Sequence, residues 1–200
     1  MLLINLVENM HFFVAEISQM DVPSLNGSTR RAQETLDENL SAYIKIVFRR
    51  PFGKIIVSDW QPPLSSHLLI LLLFQDFFEG IDRVTKDLNS GDITSNSNFT
   101  KASLRKVLKD YNSKDIRKYI DVLSKRVEKH FTDGEKVDES NSAISGKVLL
   151  DVWKVCEEEF VKLTETWTSR ITQWYSDSGI TLEFTRTDVE AAFRRQKFGL

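Results

Sequence analysis

Apolar residues recur at three- and four-residue steps through nearly every stretch of this chain long enough to form a helix. That spacing constrains the fold more than any other feature of the sequence. Leu2, Leu3, Leu6, Val7, Met10, Phe13, Val14, Ile17 and Met20 make a broad apolar stripe on a first helix. Pro23 and Asn26-Gly27 mark a break. A second helix follows from about Ser28 to Arg49, with Ala32, Leu36, Leu40, Tyr43, Ile44 and Val47 on one side. Pro51 must end or kink it, because proline brings no N–H and its ring clashes with the preceding turn.

Residues 76–88, DFFEGIDRVTKDL, resume the helical pattern to about Leu88, and 89–98, NSGDITSNSN, read as a polar loop. The pattern returns at Leu104, Val107, Leu108 and Tyr111. Asn112-Ser113 is a turn and cap signal for a further helix bearing Ile116, Ile120, Leu123, Val127 and Phe131. The polar stretch 132–146 is expected to be a mobile loop. A long helix is then predicted from about Lys147 to Trp174, carrying Val148, Leu149, Val152, Val155, Cys156, Phe160, Leu163, Trp167, Ile171 and Trp174. Gly179 interrupts it, and Ile180–Phe184 is open to a short extended segment. Thr187-Asp188-Val189-Glu190 reads as a capping box for a last helix with Val189, Ala192 and Phe193 on one side. The fold class is all-α: antiparallel helices with short breaks, as a bundle or an elongated rod segment.

Two hundred residues suffice for one domain with a core or for two small ones. A net charge of −2 supplies no global attraction to nucleic acid or to an anionic membrane. The lone Cys156 excludes an internal disulfide and a cysteine-based zinc site. The first ten residues lack a basic leader and carry Glu8, so no signal peptide is expected, and the sequons at Asn26 and Asn98 are expected to stay unmodified.

Catalytic chemistry finds no foothold. His11, His67 and His130 are scattered without metal-ligand spacing. Cys156 stands beside Glu157-Glu158-Glu159, carboxylates that oppose a thiolate, so it reads as a packed thiol and those acids as a solvated face. Trp153, Trp167 and Trp174 read as helix-contact residues. No phosphate loop or nucleophile triad can be assembled, so neither an enzyme nor a cofactor is expected. Charge is more informative. Ten basic and four acidic residues between Lys101 and Lys129 leave a local +6. Lys101, Arg105, Lys106 and Lys109 share one helix surface. Such a row could hold anionic phospholipid headgroups at roughly 1 kcal/mol per basic residue, or it could be a solvated face complementing acidic segments of this chain or a partner. No nucleic-acid module accompanies it.

Several blocks in order carry a resemblance: NLVENMHFF, AQETLDENLSAYI, RRPFGKII with DFFEGIDRV, FTKASLRKVLKDYNSKDIRKYIDVLSKRVEKHF, VWKVCEEEFVKL and YSDSGITLEFTRTDVEAAF. Together they resemble the carboxy-terminal region of the exocyst component 1 family, the large vesicle-tethering subunit, over most of the chain. The resemblance implies stacked helical bundles and assembly with other exocyst subunits to tether secretory vesicles to the plasma membrane before fusion. It also implies a cytoplasmic location, peripheral at sites of polarised secretion, and makes residues 1–200 the carboxy-terminal part of a longer protein. The family's phosphoinositide and Rho-family GTPase contacts belong to an amino-terminal domain not in this sequence. The block Arg49-Arg50-Pro51-Phe52-Gly53-Lys54 is expected to shape a junction between helices.

Residues 57–75, VSDWQPPLSSHLLILLLFQ, depart from the family, which runs almost directly from RRPFGKII into DFFEG. The apolar run from Leu68 to Phe74 is far short of the roughly 20 residues that span a bilayer. A buried strand or a core helix stays open as an alternative, although no neighbouring strand exists for a strand to pair with. Every valine codon begins GT and one glutamine codon is CAG, so the segment starts and stops where an unspliced intron would. A retained intron is therefore expected.

Overall fold

The computed structural model describes residues 2–20, 22–49, 77–83, 93–109, 112–132, 139–196 and 198, with backbone alone at 2, 49, 94 and 139–145. Helix dominates: α1 (Leu2–Gln19), α2 (Asn26–Arg49), α3 (77–83), α4 (Lys101–Leu108), α5 (Ser113–Thr132), α6 (Glu139–Trp174) and α7 (Arg186–Arg194). Among the described residues, the sole extended pairing is a single parallel bridge between Asn112 and Glu183. The all-α reading therefore holds, and Ile180–Phe184 contributes one bridging residue rather than a strand.

The chain divides into two compact units. The first comprises residues 1–50, 123–158 and 198–200. Its core takes Ala32, Leu36, Leu40, Tyr43, Ile44 and Val47 from α2, all buried as their spacing demands. The same unit buries Leu123, Val127 and Phe131 of α5, with Val148, Leu149, Val152 and Cys156 of α6. The Tyr43 ring meets Phe131 edge-on at 5.4 Å, and its hydroxyl bonds His130 Nδ1 at 2.9 Å. Burial pushes the Tyr43 phenol well above its ordinary value. The Cys156 thiol is fully buried and likewise pushed up, by burial rather than by the adjacent carboxylates.

The second unit comprises residues 51–122 and 159–197. Phe160, with no exposed surface, is its centre, packed against Tyr119 at 5.6 Å, Phe193 at 6.0 Å and Trp167 at 6.2 Å. Leu104, Leu108, Ile116, Ile120, Ile171, Phe184 and Val189 complete the core. On α6, Arg170 holds α3 by a contact to Asp82 and a 3.4 Å bond to the Phe78 carbonyl.

Three expectations need correction. The long helix begins at Glu139, inside the stretch 132–146 read as a mobile loop. ESNSAISG offers a single apolar step, Ile144 to Val148, too little to signal a helix, but most of its residues only weakly oppose one, and the turns continue straight into the packed Val148 face. The loop 89–98 is not merely polar, because Ile93, in the short 3-10 turn Ile93–Ser95, is buried, as is Phe99 just beyond. The last helix is capped two residues earlier than its spacing suggested: Thr185 is the N-cap and Asp188 the reciprocal partner. That register buries Val189, Ala192 and Phe193 and frees Glu190 to pair with Arg186 at 2.7 Å. Residues 50–76, 84–92, 110–111 and 133–138 lie outside the described residues, and with them most of the junction block, the segment 57–75, the helix expected to reach Leu88, Tyr111 and His67.

Candidate interaction surfaces

The cationic row stands on α4, and the local sequence explains its orientation. Thr100 caps the helix, its hydroxyl oxygen accepting from the Ser103 N–H at 3.1 Å. Leu104 and Leu108, four apart, turn into the second unit's core. Lys101, Arg105 and Lys106 therefore face solvent, and Lys109 follows as the C-cap, its N–H donating to the Arg105 carbonyl at 3.0 Å. All four cations are exposed. Among the described residues, none of the four forms an ion pair. The structure thus brings together the four residues that the spacing grouped.

Their base is firmly built. Phe99, immediately before the cap, offers its carbonyl to the Tyr175 hydroxyl at 2.7 Å, and burial raises that phenol to about 12. Arg105 reaches the Ser178 carbonyl at 3.4 Å, next to Gly179 in the left-handed region (φ 63°). The Asn112 side chain accepts the Lys114 and Asp115 N–H groups at 2.9 and 3.2 Å, capping α5 as its sequence signal indicated. The Ser113 hydroxyl adds a bond to the Glu183 carbonyl at 3.2 Å. Nothing in the spacing could have identified Ser178 or Glu183, since both act through backbone carbonyls brought near by the turn after α6.

Trp153 and Trp167 are buried and Trp174 half-buried, so they are packing residues rather than a ligand cage. A polar cleft lined by Asp82, Glu165, Arg170 and Trp174 has its cation already committed to Asp82. Of the junction block, only the end of α2 at Arg49 is described.

The sequence profile of the family described as exocyst complex component Sec3, C-terminal, matches residues 2–57 and 71–177. The chain belongs to this family. Its match passes over residues 58–70, within the segment set apart as 57–75. Exocyst complex component 1 of Mus musculus is 26% identical over 185 residues, covering 92% of this chain and 17% of the mouse protein. Its Drosophila melanogaster counterpart is 28% identical over 188 residues, covering 94% of this chain and 18% of the fly protein. The chain thus spans less than a fifth of the curated relatives it matches. No solved structure matches it. No described helix is long and apolar enough to cross a membrane.

Proposed function

We propose that this chain is the carboxy-terminal part of a longer exocyst subunit, working in the tethering of secretory vesicles to the plasma membrane by helix-on-helix assembly. The observation that carries this reading is the Sec3 C-terminal match over most of a chain whose described regular structure is helical. In this reading the part is non-catalytic, its bundles extend a rod, and its partners are other exocyst subunits, met in the cytoplasm at sites of polarised secretion. Affinity capture of the natural gene product from its own cells tests it. Co-purification of exocyst subunits in stoichiometric amounts is the expected result. Their absence would refute it.

The α4 cations Lys101, Arg105, Lys106 and Lys109 serve, in this reading, as the contact for an acidic face of a neighbouring subunit. Purely electrostatic lipid binding is the weaker alternative. None of the large apolar side chains exposed among the described residues lies on α4, so insertion could not reinforce the headgroup contacts. Flotation of the natural product with vesicles with and without anionic lipid separates the two. Anionic-lipid binding abolished by charge reversal at Arg105, Lys106 and Lys109 would favour the lipid role.

Residues 57–75 are proposed to be a retained intron, supported by the profile's gap at 58–70. Transcript sequencing across this point decides it, and a message that uniformly keeps the segment would sink the idea.

A further inference from the structure

α1 carries more apolar surface than its own bundle covers. Among the described side chains of its broad stripe, Val7 is the one fully buried, while Leu6, Phe13 and Met20 remain 40%, 48% and 59% exposed. These three stand seven apart. Leu3, Met10 and Ile17 are half-buried and fall between them at strict three- and four-residue steps. Five of these six residues lie on α1 and Met20 in the turn just past Gln19, together an a/d seam over more than two heptads, the spacing that seats one helix along another. It is distinct from the inward side, where Val7 packs and His11 bonds Asp151 at 2.7 Å. A helix apolar on two sides needs a neighbour on each.

We propose that Leu3, Leu6, Met10, Phe13, Ile17 and Met20 dock a helix from the polypeptide that precedes this region in the longer subunit. The inference rests on the reading of the chain as part of such a subunit. Two observations choose this occupant. Six side chains, three of them already half-covered, fall well short of the roughly 20 residues a side that hold separate molecules together. A tethered helix needs less, because covalent linkage supplies an effective concentration on the order of 1 mM. The matched relatives also hold more than four-fifths of their length outside the matched region, and the matching family is described as the C-terminal part of its subunit. The occupant is thus an amphipathic helix with an apolar heptad stripe of its own.

Cysteine labelling of the natural gene product, read at each position by peptide mass spectrometry, tests this, and the native Cys156 of this region is fully buried and silent. Phe13→Cys and Met20→Cys replace exposed side chains and leave the core intact. Arg30→Cys, at a side chain 78% exposed, is the control. In the purified subunit, maleimide should modify positions 13 and 20 about tenfold more slowly than position 30, independent of protein concentration. Equal rates in a product of full length would overturn the seam alone. Protection that grows with concentration would reassign it to a second copy. Protection lost on removal from the complex would reassign it to another subunit, and either result overturns the proposal. A natural product of only 23.1 kDa on immunoblot would overturn the longer-subunit reading and the seam with it.

Discussion

The Tyr175 hydroxyl donates to the Phe99 carbonyl at 2.7 Å, joining the turn after α6 to the residue just before the α4 cap, with both side chains buried. Tyr175→Phe leaves that carbonyl without its partner and should cost about 1–3 kcal/mol in urea unfolding. The phenol's value is raised from 10.0 to about 12 in the folded state, so its contribution is complete below pH 10 and is lost as pH rises toward 12. The alkaline loss of stability should accordingly be shallower in the phenylalanine variant. An unchanged alkaline slope would count against a buried phenol at this position.

Gly80 sits where a side chain has no room. A Cβ there would lie 3.0 Å from Phe99 Cζ and 3.1 Å from Cε1. Phe99 is held edge-on by Phe77 at 5.4 Å, so its ring has little freedom to yield. Gly80→Ala gains about 1 kcal/mol of helix propensity against about 1–3 kcal/mol of overpacking. The expected outcome is net destabilisation, relieved when Phe99→Leu is added. A double-mutant cycle by chemical denaturation measures the coupling, and a stabilised single variant would show that the ring moves aside.

The α7 cap separates two threonines that look equivalent in sequence. The Thr185 hydroxyl accepts from the Asp188 N–H at 3.2 Å, while the Asp188 carboxylate accepts the Thr185 N–H at 2.9 Å. Thr185→Ala should cost about 1 kcal/mol, and Thr187→Ala about 0.5 kcal/mol or less. Bonds from the Thr185 N–H and hydroxyl hold the Asp188 carboxyl below its ordinary range. Its contribution is therefore present above the unfolded value and lost as pH falls through the lower folded one. Acid titration of wild type against Thr185→Ala checks the sign.

Phe160→Ala should be the severest single change in the second unit. It empties a fully buried site shared with Tyr119, Trp167 and Phe193, a class of truncation that costs about 3–5 kcal/mol. Charge reversal at Lys101, Lys106 and Lys109 should do the opposite. It should leave thermal unfolding nearly unchanged, since none of the three pairs with an acid among the described residues, while weakening partner capture.

Periodicity and cap chemistry made most of the helices legible. The Ala32-to-Val47 stripe, the Asn112 cap and the α4 cations stand where the residue spacing placed them, because one-turn neighbours on a helix meet whatever the surroundings. Spacing failed at Glu139–Gly146, where a single apolar step, Ile144 to Val148, marks the helix. It failed again at Thr185, where two overlapping capping patterns compete locally and the burial of Val189 and Phe193 selects between them. The anchoring roles of Ile93 and Phe99 were hidden by the polar residues around them.

By itself, then, the sequence determined that this chain is helical, where most of its helices break, and which family it joins. All of these rest on contacts within a few residues or on the order of blocks along the chain. Only the tertiary structure decided which side of α1 is buried, which threonine caps α7, and what holds the cationic helix in place. Those depend on neighbours distant in sequence: Asp151 beside His11, Phe193 beside Phe160, and Tyr175 beneath Phe99. Apolar spacing shows that a face must be covered, and packing alone shows by what.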